Sequence, residues 1–243
     1  MPDHTLPPEP RPQARDGEPR PQARGLEPRP QARGLEPRPQ ARDAEQTRRE
    51  ILDAARAAFA EHGLSGARVD EIAARTRTSK RMIYYYFGSK EGLYAAVLEQ
   101  MYGGIRDAEQ ALALDNLAPE AAMAALIEQT FDYHAAHPEF VRLVAVENIH
   151  GARHLRHAPS ITERNDTVIR TTRAILDRGE QAGVFRAGVD AVDLHMLVNG
   201  FSFYRVSNRH TLGVIFGRDL AAPPHVAAHR AMIVQAVLAW LRP

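Results

Sequence analysis

"SKRMIYYYFGSKEGLY", residues 79–94, sets three tyrosines and a phenylalanine between two clusters of positive charge. Ser79 is placed to cap a helix, since its hydroxyl can accept from one of the first unpaired backbone N–H groups. On that helix Ile83, Tyr86 and Phe87 share one face, while Lys80, Arg81, Tyr84 and Tyr85 lie towards the other. Ser89 caps a further helix, with Lys90 and Glu91 in its first turn. Just upstream, "ARVDEIAART" (67–76) forms a short helix with Val69, Ile72 and Ala73 inward. Residues 69–87 thus have the layout of a helix-turn-helix, whose second helix enters the major groove of DNA.

The side chains suit that task. Arg75 to Lys90 includes five basic residues and no acid. Lys80 and Arg81 can reach base edges or phosphate. Tyr84 and Tyr85 offer rings that pack and hydroxyls that bond phosphate oxygens. Lys90 at a helix start opposes the helix dipole, a conflict that a neighbouring phosphate removes. The competing reading, aromatics as core, applies to Ile83, Tyr86 and Phe87.

"IAARTRTSKRMIYYYFGSKEGLY", with the upstream "ILDAARAAFAEHGLSGARVDEIA", resembles the DNA-binding domain of the TetR (tetracycline-repressor) family of bacterial regulators. Phe59 and Gly63, Ile72-Ala73, Ser79, the Tyr84-x-Tyr86-Phe87 block and Ser89-Lys90-Glu91-x-Leu93 carry the likeness, over 47–94. The resemblance implies a three-helix head, a helical ligand-binding body, a two-fold dimer built from the last two helices, and an inducer that weakens operator binding. Where the family usually has alanine-glycine-valine in the turn, this chain has Thr76-Arg77-Thr78. A left-handed turn residue suits glycine, and arginine there costs roughly 1 kcal/mol. Arg68 stands where the family often uses a capping threonine; it cannot cap but can reach phosphate. The expected DNA-contacting set is Arg68, Arg77, Thr78, Ser79, Lys80, Arg81, Tyr84, Tyr85 and Lys90.

The 243 residues carry a net charge of only +1, so any nucleic-acid surface must be local. Both lysines of the chain, Lys80 and Lys90, fall in the opening stretch. Cysteine is absent, which excludes disulfides, thiolate metal sites and a cysteine nucleophile. With no transmembrane run and no secretory signal, a cytoplasmic protein is expected. Residues 9–44 hold four copies of a nine-residue unit, such as "EPRPQARGL", with two prolines and almost nothing apolar. Residues 1–44 are therefore expected to be a disordered tail. Everything after it reads as helix, with a head at 45–92 and a helical ligand-binding and dimerisation body at 93–243. The fold class is all-α.

In the body, helices are expected near 119–136, 138–150, 160–181, 190–208 and 224–241, with Gly103-Gly104 loosening the end of the fourth helix. Apolar stretches there carry isolated polar groups, which suits a mostly apolar pocket with a few anchors. The candidate ligand contacts are Phe131, Glu147, His150, Asn199, Phe203 and Tyr204. His150, His154 and His157 near Glu147 could share a face, but Gly151, Arg153 and Arg156 favour a solvated loop over a metal site. No cofactor is expected. Helices 160–181 and 224–241 look like dimer elements. An enzyme finds no support: there is no HExxH, no phosphate-cradling glycine loop and no nucleophile elbow. A helical adaptor using its tail as a protein ligand is the third reading. The expected partners are a palindromic double-stranded operator, a small-molecule effector and a second copy of the chain.

Overall fold

The computed structural model describes residues 39–243. The repeat over 9–38, with the rest of 1–38, lies outside the described residues. Helix α1 spans Pro39–Gly66, so it begins ahead of Glu45 and takes in residues that the proline spacing assigns to the tail. Proline is acceptable at a helix's first position, where its missing N–H would have no partner. Gly63, at φ 67 and ψ 177, breaks the helical backbone before the last turn of α1.

Two short helices follow, α2 (Val69–Arg75) and α3 (Lys80–Phe87), then the long α4 (Lys90–Gln110). A short 3-10 turn at Leu114–Asn116 leads to α5 (Pro119–Ala136) and α6 (Pro138–Ile149). A second 3-10 turn, Leu155–His157, precedes α7 (Pro159–Gln181). The chain ends with α8 (Ala191–Ser207), α9 (Arg209–Phe216) and α10 (Pro223–Leu241). Proline opens α5, α6, α7 and α10, while the Asp190 carboxylate caps α8 by accepting from Val192 and Asp193 N–H. Among the described residues there is no strand.

Two apolar cores hold these helices. The first joins Ile51, Ala55 and Phe59 of α1, Ile72 of α2 and Ile83 of α3 to Leu93, Tyr94, Val97 and Ile105 of α4. It continues into Phe140 and Leu143 of α6 and Ile161 of α7. α4 therefore belongs to the head at its start and to the body further on, and an expected division at residue 92/93 falls inside one helix. The second core gathers Met123, Ile127 and Phe131 of α5, Val168 and Ile175 of α7, Leu194 and Val198 of α8, and Ile233 and Val237 of α10.

Gly103 and Gly104, expected to loosen the end of the fourth helix, lie inside α4, which runs on to Gln110. They let neighbours approach: a Cβ at 103 would meet Arg164 Nη1 of α7 at 2.8 Å, and one at 104 would meet the Tyr133 hydroxyl of α5 at 2.7 Å. That hydroxyl donates to the Met101 carbonyl at 3.2 Å, pinning α5 to α4 where the glycines sit. α9 is a separate helix that the apolar pattern merges into its surroundings; none of its residues is buried.

Candidate DNA interface and effector cavity

α2 and α3 are set against each other by a turn made of side-chain bonds as well as packing. Thr76 is buried, and its hydroxyl donates to the carbonyls of Ile72 and Ala73, both at 3.2 Å. Arg77 follows in the left-handed region at φ 49, so the chain keeps the turn that glycine would favour and accepts the strain. Ser79 Oγ accepts from Met82 N–H at 3.2 Å, fixing the start of α3. At its other end Gly88 adopts φ 74, and Ser89 Oγ accepts from Gly92 N–H at 3.0 Å to start α4. Gly92 permits the tight junction, since a Cβ there would lie 2.1 Å from the Phe87 carbonyl oxygen.

Ile83 is fully buried, and Tyr86 and Phe87 pack partly buried on the first core. Arg48 of α1 lies over the Phe87 ring, 5.5 Å from its centre. The opposite face of α3 is open: Lys80, Arg81, Tyr84 and Tyr85 are exposed, Tyr85 at 78%. Arg68, Arg77 and Ser79 are exposed beside it, while Thr78 and Lys90 are half-buried.

Their charges are not equally available. Lys80 Nζ lies 3.0 Å from Asp70 on α2, and Arg68 Nε lies 3.8 Å from Glu71. Lys90 Nζ donates to the Ser65 carbonyl at 3.3 Å, near the C-terminal end of α1 where carbonyls lack helical partners. Lys90 thus ties α4 to α1 in addition to any role towards phosphate. Arg75, Arg77 and Arg81 enter no ion pair among the described residues.

The body encloses an open cavity of about 820 Å³ between α4, α5, α6, α7 and α8. Tyr102, Ile105, Phe140, Val144, Leu155, Ile161 and Phe203 give it apolar and aromatic walls; Arg106, His134, His195, Asn148, Asn165 and Asn199 supply polar groups. Of the expected ligand contacts, Asn199 and Phe203 line this space. Phe131 is instead buried in the second core, with Arg205 over its ring at 4.6 Å. Glu147 is buried in a pair with His154, Oε1 to Nδ1 2.7 Å, and also accepts from His154 N–H at 3.2 Å. His150, exposed beyond α6, and Tyr204, 56% exposed on α8, do not line the cavity. His154 also packs edge-on against Tyr94, centres 5.1 Å apart.

Arg106, His134 and His195, like Asn148 and Asn165, are polar lining groups that sequence reading misses. Arg106 is only 4% exposed and Nη1 donates to Glu109 at 2.7 Å, while its Nε is buried without an acceptor. Burial pushes the Glu109 carboxyl up to about 7, against the pull of Arg106. His134 is 2% exposed, and its Nδ1 lies 2.7 Å from the Thr130 carbonyl. Burial holds this imidazole below its ordinary pKa, so it is neutral at pH 7, with Nδ1–H donating and Nε2 left as an acceptor. Burial also pushes His195 down to about 4, with Arg106 and His134 adding to the shift. The one sequence signal was the Arg106–Glu109 spacing of three, which on a helix more often marks a solvated pair.

A helix-turn-helix with an outward basic and aromatic helix, on a helical body with a lined cavity, defines a DNA-binding regulator. Residues 51–97 match the model of bacterial regulatory proteins of the tetR family, and 119–237 match the tetracyclin repressor-like C-terminal domain. The chain is 36% identical over 178 residues to the HTH-type transcriptional repressor NicS of Pseudomonas putida, covering 73% of this chain and 84% of that one. It is 39% identical over 157 residues to an HTH-type transcriptional repressor of Streptomyces coelicolor, covering 64% of this chain and 76% of that one. The crystal structure of a further Streptomyces coelicolor transcriptional regulator superposes with a TM-score of 0.62 at 31% identity, over 81% of this chain and 99% of that one. The chain belongs to the tetR family of transcriptional regulators. These relatives are regulators, not enzymes. Among the described residues no helix is long and apolar enough to cross a membrane.

Proposed function

We propose that the protein is a homodimeric repressor that binds a palindromic operator through α3 and is released from it by a small molecule held in the 820 Å³ cavity. The observation that carries this reading is the split face of α3. Ile83 anchors it to the core while Arg81, Tyr84 and Tyr85 stand free beside the unpaired Arg77. In this reading Arg81 and Tyr84 reach base edges, and Arg68, Arg77, Thr78, Ser79, Lys80, Tyr85 and Lys90 hold the backbone. Lys80 exchanges Asp70 for a phosphate on binding.

Dimerisation follows from geometry, since one such head reads only a half-site and two need a separation of about one helical turn of DNA, roughly 34 Å. The surface that supports it lies on the last three helices: Met196 and Leu197 of α8, Val214, Ile215 and Phe216 of α9, and Met232 and Trp240 of α10 are all exposed. The apolar stripes of α7 (Val168, Ile175, Leu176) and of α10 (Ile233, Val237, Leu241) are used within the chain, in the second core. The effector part rests on a cavity of the size and mixed lining of small-molecule sites.

A gel shift of the full chain with its own upstream DNA tests the reading. A retarded band that competes with unlabelled specific but not scrambled DNA is expected. Equal binding to both, or none at low salt, refutes it.

A further inference from the structure

We infer that the cavity is built for an organic acid: a carboxylate on an apolar ring or short chain, its oxygens taken by Arg106 and its body held between Tyr102, Phe140 and Phe203. This deepens the effector reading above and rests on it. The ground is the way Arg106 is housed. A guanidinium has five donors; this one is 4% exposed, lines the cavity and gives Nη1 to Glu109, while Nη2 has no acceptor among the described residues. Leaving a buried cationic donor unsatisfied is costly. A second carboxylate is the group whose geometry meets a guanidinium edge.

The other lining groups fit the same ligand. His134, with Nδ1–H committed to Thr130, offers an Nε2 acceptor, which suits a hydroxyl or N–H elsewhere on the ligand. Asn199, whose Nδ2 lies 2.9 Å from the His195 carbonyl, and Asn148 and Asn165 are neutral. Asp166, the one acid lining this cavity, is exposed at its edge.

Arg106 also lines a smaller neighbouring cavity of about 210 Å³, with Glu109, Asp115, Thr167 and Thr171. Glu109 is therefore a rival for the guanidinium. When a ligand carboxylate binds, two anions would share one buried cation, so Glu109 takes up a proton as the acid enters. Arg106 is the charged group acting most directly on Glu109; Asp115 faces the same small cavity, and His134 and His195 approach Arg106 from α5 and α8. With Glu109 at about 7 in the free protein, acid binding weakens as pH rises beyond that value, by about tenfold per unit.

The test uses the full-length chain and paired probes that differ only in the acid: benzoate against benzamide, phenylacetate against phenylacetamide, octanoate against octanamide. Binding is read by isothermal titration calorimetry in two buffers of different ionisation enthalpy, and operator release by fluorescence anisotropy. At least one acid should bind about tenfold or more tightly than its amide, with proton uptake at pH 8. Arg106→Met should erase that preference. Glu109→Gln, an isostere of the protonated acid, should tighten acid binding about tenfold at pH 8 and flatten its pH dependence. A purely structural Arg106–Glu109 pair predicts instead that Glu109→Gln lowers the melting temperature and leaves affinity unchanged, which overturns the inference. Amides that bind as well as acids, or no probe bound at all, overturn it too. Amides that release DNA would leave the effector reading standing; acids that bind without affecting DNA would sink the effector reading and leave the acid site.

Discussion

Replacing Arg77 by glycine should move stability and DNA affinity in opposite directions. Arg77 sits at φ 49, where an L side chain costs about 1–2 kcal/mol. Glycine removes that cost but adds about 0.5–1 kcal/mol of chain entropy to be lost on folding. The net gain is about 0–1.5 kcal/mol. For a domain of this size each kcal/mol shifts the melting temperature by about 2–4 °C, so Arg77→Gly should melt up to about 6 °C higher. The side chain is exposed and unpaired, so little packing is lost with it. At the operator the proposed dimer lacks one cation per head, two in all. The slope of log affinity against log salt should fall by about 1.8, with the largest loss of affinity at low salt. Scanning fluorimetry and an anisotropy series from low to moderate salt measure the two effects on one preparation. A variant that melts lower refutes the strain argument. An unchanged salt slope removes Arg77 from the DNA contacts.

Other perturbations separate the remaining parts. Asp70→Asn frees Lys80 and removes a negative charge from the same face, so affinity should rise for operator and scrambled DNA alike, by about twofold to tenfold, in a salt titration. If the proposed dimer forms through the exposed apolar face of α9, Phe216→Glu should leave a monomer by light scattering and abolish specific binding, with the fold intact by circular dichroism. Gly104→Ala drives a methyl to 2.7 Å from the Tyr133 hydroxyl and should destabilise by about 1–3 kcal/mol in urea melts. The folded-state pKa of His195, about 4, lies below its unfolded value of about 6.5, so its share of stability is present above pH 6.5 and is lost as pH falls towards 4. His195→Gln should flatten that limb of the melting-temperature profile.

The fold was legible where punctuation is local. Pro119 and Pro138 open the observed helices, and Ser79 and Ser89 cap α3 and α4 as their positions suggest, whereas Ser160, expected to cap the next helix, lies inside α7 and its hydroxyl donates to Glu99. The amphipathic split of α3 follows from spacing alone. Reading failed where a residue's meaning depends on a distant neighbour. Gly103-Gly104 looks like a break but serves the approach of α5 and α7. Phe131 and Glu147 look like ligand groups but are absorbed by core and by His154. Arg106 looks like a surface charge and is covered by helices far along the chain. The apolar residues of α9 face none of the chain's own core, so no intramolecular pattern singles them out.

The placement of the two lysines has a practical consequence for anyone handling this protein. Apart from the terminal amine, Lys80 and Lys90 carry the primary amines of a chain that also lacks cysteine. Amine-reactive dyes, biotin esters and sensor-chip coupling that go beyond the terminal amine therefore attach beside α3, on the surface proposed to meet DNA. A sensor made that way would report a protein blind to its operator. Used deliberately, the same chemistry is a footprint: bound DNA should shield these two amines from an acylating reagent, and mass spectrometry would show their protection residue by residue.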